Sequence, residues 1–251
     1  MKIDMHTHCL PASRCAHHSP EEIPAIFKAK GIDAIVLTNH YYDFHCDHLS
    51  PHLQEQAEIY VDIFHRCKKA GAEIGLKVFF GVEIKLIREP YQPEFLLYGL
   101  SEQDFIESFP LYNLSRKELF KYCCEKDILM AQAHPYSSQS EFSEEDLRYI
   151  HAIEVYNSHP IRDPKYADTL ALALENNKLM TAGSDFHVRS QEGSSGMIVP
   201  DEINDQFALR DYLRSGNICI FDTRGVFYER PSLMGTMLSC NFDYCKGVSV
   251  Q

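Results

Sequence analysis

One apolar run after another in this chain closes on a residue that can hold a metal or make a hydrogen bond, and that repetition limits the folds open to it. The runs read KIDMHTH, DAIVLTNH, LKVFFGVE, ILMAQAHP, AIEVYN and LMTAGSDFH. They end at His8, His40, Glu83, His134, Asn157, and Asp185 with His187. Short apolar runs separated by amphipathic stretches read as buried parallel strands alternating with helices. In an open sheet the strand ends lie along a line, and the first and last cannot meet. In a (β/α) barrel they ring one site. The expected fold is therefore α/β, a barrel with its site at the C-terminal ends of the strands.

The spacing within the runs sharpens this. Side chains two apart on a strand point to one side, so in DMHTH His6 and His8 converge, with Asp4 behind them. Asp185 and His187 repeat that spacing near the other end, as expected of a barrel that closes near its own beginning. Any one of the chain's 13 histidines, taken alone, reads as an ordinary core or surface residue. Together, His6, His8, His40, His134 and His187 with Glu83 and Asp185 exceed the three or four ligands of a single zinc ion. They suit two or three metals with carboxylates as bridges.

Between the strands, SPEEIPAIFKAKG reads as a helix capped by Ser19, with Pro20 in its first turn and Gly31 at its end. A long amphipathic stretch spans about 52–69, Ser115 caps SRKELFKYCCEKD, and further helices lie near 143–150 and 164–176. FLLYG is a fourth strand, and DQFALRDYLRSGNICIF supplies one more helix and strand. The pattern is βαβα repeated about seven times. A length of 251 residues fits a single domain, with the helix and strand of 200–222 completing it.

The net charge of −12, with no Lys/Arg-rich block, makes long nucleic acid an unattractive partner. It leaves room for a small phosphorylated substrate, because bound divalent metals reverse the sign inside a pocket. No apolar segment reaches membrane-spanning length, and MKIDMHTH lacks the pattern of a signal peptide. The nine cysteines are odd in number and scattered, as expected of reduced thiols in a cytoplasm. Oligomeric state is not legible.

The ordered segments DMHTH, SPEEI, GIDAIVLTNH, GVE, AHPY, EVYN and GSDFH, with the tail IVPDEI…LRSGN, resemble the PHP (polymerase and histidinol phosphatase) family of metal-dependent phosphoesterases. The resemblance implies a distorted (β/α)7 barrel carrying up to three metals, zinc, iron or manganese. By position, His6, His8, Glu83 and Asp185 would hold one metal, and Glu83 would bridge to a second bound by His134. His40 and His187 would hold the third. The implied activity is hydrolysis of a small phosphomonoester or nucleotide-type substrate by a metal-activated hydroxide, with His40 or His187 assisting proton transfer. Arg162 is the first candidate to grip phosphate oxygens and Arg189 the second.

Three positions depart from the family pattern. Cys15 stands nearest the slot where the family has Asp or His, with His17 and His18 as alternatives; a thiolate binds zinc or iron. Asn39 replaces a common Asp, so any supporting role must come through its amide. FLLYG lacks a frequent histidine and has only Glu94 nearby. HCDH at 45–48 reads as a solvated loop, Cys123 and Cys124 as core and partner surface, and Cys240 and Cys245 as structural. Two other readings stay open. Amidohydrolases also place HxH on a first barrel strand, though GSDFH and the early His40 fit a phosphoesterase better. The altered positions Cys15 and Asn39 would also suit a PHP-like domain that binds metal without turnover.

Overall fold

Residues 2–7 are buried on both faces after Lys2, which is why this stretch becomes an interior strand. In the computed structural model of the protein, which describes residues 1–137, 141–159, 166–189, 195–222 and 225–230, it is the first of eleven strands. The chain runs β1 (Lys2–Thr7), α1 (Ile23–Ala29), β2 (Ala34–Leu37), a two-residue β3 (His40–Tyr41), α2 (Asp43–Cys46) and α3 (Leu53–Glu73). It continues with β4 (Lys77–Lys85), β5 (Glu94–Tyr98), α4 (Glu102–Ser108), α5 (Arg116–Glu125), β6 (Leu129–Gln132), α6 (Glu144–Arg148) and β7 (Ala152–Asn157). Then come α7 (Tyr166–Glu175), β8 (Leu179–Gly183), β9 (Gly196–Ile198), α8 (Gln206–Arg214), β10 (Ile218–Asp222) and β11 (Gly225–Arg230).

The strands form one mixed sheet in the order β11-β10-β9-β1-β2-β4-β5-β6-β7-β8, with β3 paired to β4. It curls into a half-barrel. At the far end of the curl, Phe186, just past β8, makes a parallel bridge to Thr7, and its carbonyl accepts the His8 N–H at 3.0 Å. Gly183 makes this approach feasible: a Cβ there would lie 2.5 Å from the Cβ of His6.

The sheet is not wholly parallel. β5 runs antiparallel to both β4 and β6. The connection 86–93 is too short for a parallel return, which takes about a dozen residues or more, so the chain folds back as a hairpin. This reversal places Glu94, the first residue of β5, at the end of the sheet where β4 and β6 finish, opposite Lys85. β9, β10 and β11 are also antiparallel additions.

Local chemistry sets the helix ends. Ser115 and Ser143 each form a reciprocal capping box, with Glu118 and Asp146 respectively. Asp205 caps α8 through the N–H groups of Phe207 and Ala208. Ser19 and Glu22 exchange the same bonds, but around a lead-in turn, so α1 begins at Ile23 rather than at Ser19. Among the described residues no helix is long and apolar enough to cross a membrane. Six described cysteines are free thiols and Cys124 is disulfide-bonded, which corrects the expectation of reduced thiols throughout. Arg162, Cys240 and Cys245 lie outside the described residues.

Candidate metal centre

The strand ends bring His6, His8, Glu83 and Asp185 to one point. Nε2 of His6 lies 3.2 Å from Glu83 Oε1 and 3.5 Å from Asp185 Oδ1. Nε2 of His8 lies 3.5 Å from Glu83 Oε2 and 3.2 Å from Asp185 Oδ1. Glu83 extends the cluster in two directions, to His134 Nε2 at 3.0 Å and to His40 Nδ1 at 2.7 Å. Beyond His40, its Nε2 meets His187 Nε2 at 3.4 Å. Glu94 joins through the reversed strand, 3.6 Å from His134 Nε2, while Lys85 holds its other oxygen at 3.1 Å.

Both His134 and Asp185 stand two residues past a strand end, with backbone in the left-handed region, φ 22° and 52°. Such conformations in non-glycine residues cost about 1–3 kcal/mol each and gather at functional sites.

A set of outer contacts decides which ring atoms face inward. His6 Nδ1 donates to Glu154 Oε1 at 2.9 Å, since a carboxylate only accepts. The other oxygen of Glu154 accepts from the His134 N–H at 2.9 Å and from Asn157 Nδ2 at 3.0 Å. For His8 the chain of reasoning runs through Asn39. Its amide oxygen accepts the Cys9 N–H at 2.7 Å and the Ser13 hydroxyl at 3.1 Å. With its hydrogen so committed, Ser13 Oγ accepts from His8 Nδ1 at 3.0 Å and from the His40 N–H at 2.9 Å. His6 and His8 therefore turn their Nε2 atoms to the centre. Asn39 acts through its amide, where an aspartate would have offered the same acceptor.

These atoms fit metal ions. Nε2 of His6 and His8, Nδ1 of His40 and Oε2 of Glu83 are buried and make no hydrogen bond, although each lies near atoms of the cluster. Buried polar atoms left in that state cost free energy unless a third body takes their lone pairs. The candidate groups are His6, Glu83 and His134; His6, His8 and Asp185; His8, His40 and His187; His40, Glu83 and Glu94; and Cys15, His40 and His45.

The electrostatics show charges held together by one another. Burial pushes Glu83 up, but His6 and His40 outweigh it and hold the carboxyl well below its usual range. Asp185 is likewise lowered against burial, by His6 and by its bond to His8. Burial alone raises Asp4, behind the histidines, to about 7. Burial, with His187 and His40 beside it, holds His8 well below the ordinary imidazole range. Cys15 is exposed as a residue, yet bonds to His187 and His40 overcome desolvation and bring its thiol down to about 6.

Sequence reasoning placed several residues differently. His17 and His18 stay outside these groups: His18 Nε2 accepts the Arg189 N–H at 3.1 Å, whereas Cys15 enters the cluster. The loop reading of HCDH is corrected for His45, which is 3% exposed with its ring centroid 4.5 Å from that of His40. Arg189 is exposed. Three contributors were missed: Glu154, Ser13 and His45. EVYN contains the first, and its interior carboxylate on a strand buried throughout was the available signal. Nothing local marks Ser13.

No protein-family model and no curated protein sequence matches this chain. Solved structures do. A two-domain protein from Bacteroides vulgatus, containing a predicted PHP-like metal-dependent phosphoesterase, superposes with a TM-score of 0.66 at 20% identity over 88% of this chain. The fold is PHP-like. The chain spans 64% of the length of that two-domain protein. PsfC from Pseudomonas syringae superposes at a TM-score of 0.61 and 15% identity, over 99% of this chain and 100% of its own. An amidohydrolase from Chromobacterium violaceum, solved with bound sulfate, aligns at 0.53 and 12% identity over 89% of this chain and 98% of its own.

Proposed function

We propose that this protein is a metal-dependent phosphoesterase of the PHP family. In this reading it is a single-domain distorted (β/α)7 barrel that hydrolyses a small phosphomonoester or nucleotide-type substrate in the cytoplasm. The observation that carries the reading is the set of buried, unbonded donor atoms of His6, His8, His40 and Glu83 turned to a common centre. His6, His8, Glu83 and Asp185 would hold one divalent ion, and Glu83, His134 and Glu94 a second. His40 and His187 would hold a third; zinc, iron and manganese are the candidates. When bound, such ions supply Lewis acidity to a phosphoryl oxygen and lower the pKa of water.

The chain's own residues then position and shield. Glu154 fixes the ring of His6, and the Asn39–Ser13 pair fixes that of His8. His40 and His187 were the candidates for proton transfer, and His45 joins them in a different role. Its Nδ1 accepts the Arg14 N–H at 2.9 Å, so its Nε2 carries the hydrogen and the ring is a neutral hydrogen-bond donor beside His40. Arg14 has its guanidinium over the exposed Phe44 ring at 4.5 Å, and is a cation for phosphate oxygens alongside Arg189 and Arg162.

The amidohydrolase among the structural neighbours keeps a second reading in view, hydrolysis of a C–N or carboxylic ester bond. The test is release of inorganic phosphate from a panel of phosphorylated metabolites, run beside an amide panel, with protein as purified, chelated, and reloaded with manganese, zinc or iron. Chelator-sensitive phosphate release restored by metal is expected. Amide turnover without phosphate release would replace this reading with the second, and metal retained with no turnover would leave a metal-binding domain.

A further inference from the structure

Just past β3, which carries His40, the chain turns through Tyr42 into the four-residue helix α2, and this turn sets a large apolar ring at the edge of the centre. Phe44 is 57% exposed. A lone exposed phenylalanine needs no explanation. This one is held in place and joined to the centre. The ring of His45 meets it edge-on at 5.1 Å, and His45 in turn lies 4.5 Å from His40 and 4.8 Å from Tyr42. Phe44 is thus two ring contacts from a candidate metal ligand. Tyr42, half-buried, lies nearly parallel to Phe44, at 21° and 6.4 Å, and 6.0 Å from His40. The rings of His40, His45, Tyr42 and Phe44 form an aromatic strip that runs from the centre out to solvent.

Cations flank the strip. The Arg14 guanidinium lies 4.5 Å over the Phe44 ring, and its Nη1 donates to the Phe44 carbonyl at 3.3 Å. The Arg14 backbone N–H binds His45 Nδ1 at 2.9 Å, so the loop after β1 and the turn after β3 fix each other at the mouth. Lys85 stands 5.2 Å over the Tyr42 ring while pairing with Glu94 at 3.1 Å. A guanidinium lying on a ring keeps its remaining in-plane N–H groups for anions. Flat ring faces beside such donors match a phosphoester whose leaving group is itself planar. The rings stack on the leaving group, and the cation faces the phosphate oxygens. A sugar or alkyl group presents no flat face to match.

Resting on the phosphoesterase reading above, we propose that Phe44 is a specificity-determining residue: it stacks on a planar ring of the substrate's leaving group, aryl or nucleobase, at the mouth of the centre. Arg14 and His45 hold the Phe44 ring in position for this.

The test uses the full chain, stripped with chelator and reloaded with zinc, manganese or iron. It is assayed on two matched pairs, adenosine 5′-monophosphate against ribose 5-phosphate, and phenyl phosphate against cyclohexyl phosphate. Stacking on an aromatic side chain is worth roughly tenfold in affinity. The ratio of kcat/KM for the ring-bearing ester to that for its ring-free partner should therefore fall about tenfold in Phe44→Ala. It should fall less in Phe44→Leu and hold in Phe44→Tyr. The pair whose ratio falls further identifies the ring as aryl or nucleobase. The chain contains no tryptophan, so Phe44→Trp places a single reporter at the strip. In the zinc-loaded variant its emission, read before turnover, should respond to the ring-bearing ester of that pair and not to the ring-free one. Circular dichroism of each variant checks that it folds. An equal ratio in wild type and Phe44→Ala, with tryptophan emission indifferent to both ring-bearing esters, would overturn the inference and leave the phosphoesterase reading standing. No phosphate release from any of the four esters, with any of the three metals, overturns that reading and this inference with it.

Discussion

Glu154 sits one step back from the candidate ligands, yet it determines what two of them present. It fixes the Nδ1 hydrogen of His6 and takes the backbone N–H of His134, so its two oxygens tie β1 to the end of β6. Glu154→Gln keeps the volume but offers an N–H₂ where one donor now points. Outer partners of metal-bound histidines are worth about 10–100-fold in metal affinity, and a loss in that range is expected from zinc titration with a competing chelator. An unchanged affinity would make Glu154 a packing residue. Away from the centre, burial, with Arg214 and Lys178 nearby, lowers His151 to about 3, and its Nδ1 accepts the Met130 N–H at 3.1 Å, which requires a neutral ring. In the unfolded chain the ring titrates near about 6.5. Below that pH the unfolded state takes up a proton the folded state refuses, so stability falls as pH drops from about 6.5 toward about 3. His151→Gln should lose less melting temperature than wild type between about pH 7 and pH 5, measured in the same metal-free buffer; equal losses would assign the slope to other groups. At this scale the strand-end residues His6, His8, Glu83, His134 and Asp185 were legible, because each closes an apolar run. Glu154 and His45 were not. The first is interior to its run, and the second reaches the centre only because α2 folds HCDH back against His40.

The elements show why one centre forms at all. β1 and the end of β8 approach so closely that Gly183 faces His6 without a side chain between them. Gly183→Ala would drive a methyl group to 2.5 Å from His6 Cβ and 2.7 Å from its backbone N. Overpacking of this kind costs about 1–3 kcal/mol, and here relief requires moving His6. The expected result is a lower denaturant midpoint together with weaker metal binding. Lost stability with intact metal affinity would show that the strand yields without disturbing the histidine. The alternation of strands and helices, and the caps at Ser115 and Ser143, could be read from the chain because they rest on local pattern. The reversal of β5 could not be read from FLLYG, whose residues pack equally well in either direction. The signal lay in the short connection 86–93, with prolines at 90 and 93. That reversal also changes what the strand contributes: its beginning, Glu94, reaches the centre instead of its end.

For the molecule as a whole, the centre is a concentration of ionisable groups in a place where few proteins can keep them. His6, His8 and Glu83 are fully buried and Asp185 nearly so, and effective penalties for burying charge run to several kcal/mol per ion. The pairing distances of 2.7–3.5 Å offset part of this, yet atoms of three of these residues and of His40 still lack hydrogen bonds. Such a fold is under-satisfied by its own side chains, and a ligand that takes those lone pairs in the native state alone must stabilise it. At a free metal concentration about a hundred times Kd, one site adds about 2.7 kcal/mol. For a chain of this length that corresponds to roughly 5–10 °C in melting temperature per site. Chelated protein should therefore melt lower than metal-loaded protein, with a midpoint that rises with each added increment of zinc or manganese, and with separate increments if the sites differ in affinity. The same titration in the Glu83→Ala variant should collapse the rise, because Glu83 touches His6, His8, His40 and His134 at once. If chelation leaves the melting midpoint where it was, the buried donors are satisfied among themselves, and the cluster would stand as a hydrogen-bonded core without metal.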